Sequence, residues 1–291
     1  MKIEVKNITK AYGKNNALDQ VSFDLEKNKI YGLLGRNGAG KTTLMQTLAG
    51  HILPTSGEVL IDGQKPFENQ KITESICLIN ESGNFKKGLK IKEVLLVSSL
   101  YYPNWDQEVA ERLLEEFSLN KNMKIKAMSK GMESALGITV GLASRAPITI
   151  FDEPYIGLDA VHRQRFYELL LEEYEDHPRT IILSTHLIDE VSNLFEQVVI
   201  FQQGKLVLKE DAEVLREHGY KVQGDTSAID LFAKEYNVIH RKSFAGQEVA
   251  VVYSQDGGRE AARNLGLVVD SLPVQELMVY LTSSREGRKH V

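Results

Sequence analysis

The stretch Gly35-Arg-Asn-Gly-Ala-Gly-Lys-Thr-Thr43 follows the apolar run Tyr31–Leu34 and leads into Leu44–Gly50, a segment with helical periodicity. It has the form G-x-x-x-x-G-K-[ST]. Glycines at 35 and 40 let backbone N–H groups turn inward, and the start of the following helix points at the same place. A loop of this kind between a strand and a helix cradles phosphate. Lys41 reaches the β- and γ-phosphates. The Thr42 hydroxyl is a hard oxygen suited to Mg²⁺, which takes few protein ligands and keeps waters and phosphate oxygens for the rest. Alone, the loop specifies a nucleoside-triphosphate site and leaves open what the energy drives.

Composition narrows the classes. The chain has 291 residues and 42 % apolar content, enough for one large α/β domain and a small appendage. With 40 acidic against 35 basic residues the net charge is −5, which argues against a face built to neutralise nucleic-acid phosphates. Cys77 is the single cysteine and lies in the strand-like SICLIN, so it reads as a buried structural thiol in a reducing compartment. The N-terminal MKIEVKNITK alternates like a strand and has no signal-peptide core. The longest apolar stretch, 135–151, is interrupted by Arg145 and Pro147. Neither half reaches the ~20 residues of a membrane span, so a membrane role has to come from a partner chain.

Pro147-Ile-Thr-Ile-Phe-Asp-Glu153 is an apolar strand ending in two adjacent carboxylates, and ligands collect at such carboxyl ends of parallel sheets. Asp152 suits the Mg²⁺ shell, and Glu153 can polarise an attacking water. Upstream stands Met128-Ser-Lys-Gly-Met132, in which Ser129 can cap a helix carrying Gly137 and Gly141 at i, i+4. Downstream come Gly157-Leu-Asp159 and Thr180–His186, a strand ending in histidine. No His and Cys spacing suggests zinc.

With these motifs in this order, residues 1 to about 215 resemble the nucleotide-binding subunits of ABC transporters. The resemblance implies a P-loop α/β fold with a parallel-sheet core, an antiparallel β subdomain, a helical subdomain near 83–145, and ATP and Mg²⁺ as ligands. Residue by residue, it makes Tyr12 the adenine platform and gives the phosphates to Gly35, Asn37, Gly38, Gly40, Lys41, Thr42 and Thr43. Thr42, Asp152 and Glu81 fall at the metal, and Glu153 with His186 at the catalytic position. Ser129, Lys130 and Gly131 form the signature loop that closes over the triphosphate of a second subunit, and Asp159 is the D-loop residue across that dimer. The chain carries one set of motifs, so it needs a homodimer or a related ATPase.

The resemblance extends to a separate transmembrane permease, with the ATPase cytoplasmic and peripheral on the inner face of the membrane. YYPNWD, 101–106, resembles a stretch of ATPases that serve ABC-2 type exporter permeases, which favours export. An importer ATPase with a regulatory tail, and a soluble ABC ATPase, are the alternatives. Nucleic acid is not an expected partner. Two positions depart from the family: Lys130 stands where glycine is usual, and Glu81 in ICLINESGNF where glutamine is usual. Lys130 could serve a γ-phosphate or face solvent. Glu81 could crowd the Mg·ATP with a third carboxylate or point away, or Asn80 could fill its slot.

Asp106 can cap a helix whose Val109, Ala110, Leu113, Leu114 and Phe117 share one apolar face. Beyond Gly204 a charged helical segment, 210–219, precedes a new pattern: YKVQG, TSAIDLFAKE, NVIHRKSF, QEVAVVYS, GREAARNLG, LVVDSL and VQELMVYLTSS read as strand, helix, strand, strand, helix, strand, helix. That order predicts a small ferredoxin-like α+β domain over 219–291, set apart from an ATP-binding domain over 1–218.

Overall fold

The computed structural model describes residues 1–244, 246–254 and 257–283; the last residues of the expected tail domain, 284–291, lie outside these. Contacts divide the chain into two compact units, Met1–His186 with Phe201–Leu206, and Leu187–Ile200 with Val207 onward.

In chain order the strands of the first unit are β1 (Ile3–Tyr12), β2 (Asn15–Leu25), β3 (Ile30–Leu34), β4 (Ser56–Ile61), β5 (Ile76–Ile79), β6 (Ile148–Asp152) and β7 (Thr180–Thr185). They form two layers, an antiparallel sheet in the order β2-β1-β4 and a parallel run in the order β5-β6-β7-β3. Every residue of β3, β6 and β7 is buried, as expected of parallel strands covered on both faces, and their sequences are correspondingly near-continuous apolar runs. The order matters more than the count. Because β7 lies between β6 and β3, the carboxyl ends of all three stand side by side, and the phosphate loop, Asp152 and His186 leave the sheet together.

The helical segment forms as its pattern predicts. The Asp106 carboxylate accepts from the Val109 N–H at 2.9 Å and caps the helix Gln107–Glu116, whose Val109, Ala110, Leu113 and Leu114 are buried. The helix Lys130–Ala143 begins behind Ser129, whose hydroxyl accepts from the Met132 N–H at 3.2 Å. Gly137 and Gly141 within it sit where there is no room: a Cβ on Gly137 would lie 2.8 Å from Ile79, and one on Gly141 2.4 Å from the Phe151 ring. Each glycine costs about 1 kcal/mol of helix propensity, and the close approach of helix to β5 and β6 offsets it.

In the second unit β10 (Gly219–Gly224), β11 (Val238–Phe244), β12 (Gln247–Tyr253) and β13 (Val268–Ser271) follow β8 (Gln197–Gln202) and β9 (Lys205–Asp211), the two strands in which the chain passes from one unit to the other. The four form an antiparallel sheet in the order β11-β12-β10-β13. The helix Thr226–Phe232 joins β10 to β11 and the helix Arg259–Asn264 joins β12 to β13, the β-α-β-β-α-β succession read from the sequence. Tyr220, Val222, Ile229, Phe232, Ala250, Val252, Ala262 and Leu267 make its core. The unit does not begin at 219. Gln275 N–H donates to Asp189 at 3.2 Å, Ala212 N–H to the Glu196 carbonyl at 2.9 Å and Arg216 to the Ser192 carbonyl at 2.9 Å, so 187–200 and 207–218 pack with the tail.

Candidate functional site

The helix Lys41–Leu48 starts at Gly40, whose φ of +103° is one that a side chain rarely adopts. A Cβ there would lie 2.4 Å from the Ala17 carbonyl oxygen, and one on Gly35 2.6 Å from that of Phe201, so the loop backbone is pressed against its neighbours at both glycines. Lys41 is only 6 % exposed. Its Nζ donates to the Gly35 carbonyl at 2.7 Å and lies 3.9 Å from Glu153 Oε1. Burial pushes the Lys41 ammonium below its ordinary pKa, and the carboxylates of Glu153 and Asp152 oppose the shift.

Asp152 is buried with both oxygens engaged. Thr42 Oγ1 donates to Oδ2 at 2.6 Å, and Ser184 Oγ donates to Oδ1 at 2.6 Å. The same Ser184 oxygen accepts from the Glu153 N–H at 3.0 Å. Glu153 has φ +49°, a left-handed turn that costs a non-glycine residue about 1–3 kcal/mol, and Ser184 helps to hold it. The turn brings Glu153 Oε2 to 2.9 Å from His186 Nδ1, which also lies 3.2 Å from the Tyr155 hydroxyl. That hydroxyl accepts from the His186 N–H at 3.0 Å and stands 2.8 Å from Thr185 Oγ1. One polar chain therefore runs from the phosphate loop through Asp152 and Ser184 to Glu153, His186 and Tyr155.

Lys41, Thr42, Asp152, Glu153 and His186 of this polar chain line one cavity of about 700 Å³, whereas Ser184, Thr185 and Tyr155 are not on its wall. Tyr12, Asn37, Gly38, Gly40, Lys41, Thr42, Thr43, Glu81, Asp152, Glu153 and His186 all face it, joined by Ala17 and Ile156. Tyr12 is 54 % exposed at the end of β1, with Lys10 Nζ 5.2 Å from its ring centre. Gly35 lies beneath the loop as the acceptor for Lys41. Ser129, Lys130, Gly131 and Asp159 are not on the cavity wall. Gly131 instead packs on Gly157, where a Cβ would meet the carbonyl oxygen at 2.4 Å, and Asp159 caps the helix Ala160–Asp176 through the His162 N–H at 2.9 Å. Sequence reasoning missed Ser184 and Tyr155. Ser184 shares a strand face with His186 by two-residue alternation, a signal that was present; nothing in the sequence singles out Tyr155.

Lys130 is half exposed and finds a partner within its own chain. Its Nζ donates to Glu81 Oε1 at 3.0 Å. Glu81 is therefore on the cavity wall with its carboxylate engaged by Lys130 rather than by Thr42 or Asp152. Asn80 turns to a different groove, where its N–H donates to Asn84 Oδ1 at 2.7 Å.

Among the described residues no group of three or more His, Cys, Asp and Glu side chains is arranged to hold a metal. The hard oxygens at the phosphate loop, Thr42 Oγ1 and Asp152 Oδ2, could still hold Mg²⁺, an ion that accepts one or two protein ligands and completes its shell with phosphate and water. No helix among the described residues is long and apolar enough to cross a membrane.

Residues 18–156 match the family model described as ABC transporter. The chain is 30 % identical over 263 residues to the bacitracin transport ATP-binding protein BcrA of Bacillus licheniformis, covering 88 % of this chain and 86 % of that one. It is similar to a solved ATP-binding subunit of an ABC transporter, with a TM-score of 0.67, 26 % identity and coverage of 74 % of this chain and 92 % of that chain. Its fold is also that of an ATP-binding cassette solved as a post-hydrolysis dimer bound to ADP and Pi, with a TM-score of 0.64, 24 % identity and coverage of 72 % and 98 %. A relative this similar over most of both chains, on a cavity built as above, makes this protein an ATP-binding ATPase subunit of the ABC transporter family.

Proposed function

We propose that this ATPase works as a pair of subunits, hydrolyses Mg·ATP at two shared sites, and drives a separate membrane permease in the direction of export from the inner face of the membrane. The observation that carries the reading is that Thr42, Asp152, Glu153 and His186 lie on the wall of one cavity with Lys41, with buried Ser184 bridging Asp152 and Glu153. Tyr12 stacks on adenine, the N–H groups of 37–43 and the Lys41 ammonium hold the phosphates, and Thr42 with Asp152 holds Mg²⁺. When bound, the metal neutralises charge on the β- and γ-phosphates. Glu153 accepts the proton of the attacking water, and His186 steers its carboxylate through Nδ1 and senses the γ-phosphate. Ser129, Lys130 and Gly131 close over the ATP of the second subunit, and Asp159 meets that subunit's catalytic side. Glu81 takes part in the metal shell only if Lys130 releases it.

A permease partner is supported by the helix Ile91–Tyr101, which leaves Leu96, Val97, Leu100 and Tyr101 exposed along its length. Val97 and Tyr101 also line a groove of about 480 Å³ that includes Asn80 and Phe85. The groove is the proposed docking place. A transport role is supported by the similarity to a protein named for bacitracin transport, and the direction by the exporter-like stretch 101–106. The four-stranded tail is proposed as a ferredoxin-like domain with a regulatory or dimer-supporting role. Recovery of the tagged chain from detergent-solubilised membranes tests the reading: a polytopic permease should co-purify and should raise ATP turnover, whereas recovery with ribosomes or nucleic acid alone would overturn it.

A further inference from the structure

Lys130 and Glu81 both depart from the residues usual at their positions in the family, and they touch. Glu81 follows β5 on the wall of the nucleotide cavity, and Lys130 opens the helix behind Ser129. The ion pair joins them at 3.0 Å, with side chains 50 % and 52 % exposed. The departures have opposite sign. A carboxylate in place of a neutral amide brings charge that the triphosphate repels, and an ammonium in place of a glycine brings charge that compensates it. The root of Lys130 is fixed: Gly131 and Gly157 pack backbone to backbone, so that a Cβ on Gly157 would lie 3.1 Å from the Lys130 carbonyl carbon. The ammonium can move only on its own side chain, which is half exposed and long enough to change partner.

We propose that Glu81 and Lys130 are an exchangeable pair that links closure of the dimer to the γ-phosphate. In the lone subunit Lys130 is occupied by Glu81 of its own chain. On closure its ammonium passes to the γ-phosphate held by the second subunit, and the Glu81 carboxylate is released toward the metal. A terminal phosphate carries more negative charge than a carboxylate and outcompetes it. ADP has no γ-phosphate and gives Lys130 no reason to leave. The half-exposed pair is weak enough to break without a large barrier. This rests on the reading that the signature loop acts on the second subunit's ATP.

The test is a cycle of substitutions in a Glu153→Gln chain, in which ATP persists, with dimer formation followed by sedimentation velocity at fixed Mg·ATP. With Lys130 present, Glu81→Gln should tighten the dimer about two- to thirtyfold, because two half-exposed pairs no longer have to be broken. With Lys130→Met, or Lys130→Gly as a second variant, the same Glu81→Gln change should shift the dimer less than about twofold. Mg·ADP should give no dimer in any of them. Equal shifts in the presence and absence of Lys130 would overturn the exchange and leave the ATPase reading intact. Absence of any ATP-induced dimer in the parent Glu153→Gln chain would overturn the reading across two subunits, and the exchange with it.

Discussion

The carboxyl end of the parallel sheet and the four-stranded tail both bury polar groups, and they settle them in different ways. At the sheet end Lys41, Asp152, Ser184 and Thr185 are buried, each has a hydrogen-bond partner, and Lys41 and Asp152 face a cavity. In the second unit the hydroxyls of Tyr220 and Tyr253 and Nδ1 of His218 are buried with no partner. The Tyr220 ring belongs to the apolar core and lies under the Arg259 guanidinium, 4.6 Å away, so it serves as packing area whose hydroxyl is tolerated. Burial pushes both phenols up to about 12. A region that does chemistry needs its polar atoms paired and poised, whereas a region that only packs can leave one orphaned at a cost of about 1–3 kcal/mol.

The largest effect that separates the two regions is on rate. Glu153→Gln should slow ATP hydrolysis by about 10²–10⁴-fold while ATP binding persists, since an amide cannot take the water's proton. Single-turnover kinetics with near-normal rates would remove Glu153 from that role.

Next comes Phe232→Ala in the tail core. Loss of a fully buried ring should cost that unit about 3–5 kcal/mol, with ATP affinity unchanged. Calorimetry should resolve a lowered tail transition. If nucleotide binding falls in step with it, the two regions share one cooperative core.

Gly141→Val acts on the other side. Its side chain would collide with Phe151, one residue before Asp152, and should cost about 1–3 kcal/mol in the first unit's transition. An unchanged melt would show that the helix can stand off from β6.

The smallest effect is at the orphaned phenols. Tyr220→Phe should be neutral or stabilising by up to about 1 kcal/mol. The pH dependence is sharper. A tyrosine whose folded pKa is raised from 10.0 to about 12 keeps its proton in the folded state after the unfolded chain has lost it, so stability is intact below pH 10 and falls between 10 and 12. Tyr220→Phe together with Tyr253→Phe should flatten that alkaline loss in denaturant titrations, and an unaltered slope would place its origin elsewhere.

Much of the molecule was legible in its sequence because the informative patterns are local. The phosphate loop lies between a strand and a helix within one short segment, the Asp106 and Ser129 caps act within one turn, and the tail's alternation marks each element in order. What stayed hidden depends on which strands are neighbours. The bond between Ser184 and Asp152 exists because β6 lies beside β7, and Tyr155 meets His186 because the turn after β6 folds toward the end of β7. The domain boundary expected at 218 moved for the same reason: Asp189 and Glu196 find their partners in residues after 207, which no local pattern announces. Glu81 and Lys130 were each visible as a departure, yet their meeting was not, since opposite charges distant in the chain attract only once packing brings them within a few ångströms. The sequence by itself determined the chemistry available and the order of the elements. The tertiary structure decided which side chains share that chemistry, because short-range forces act between atoms that are close in space, whatever their separation along the chain.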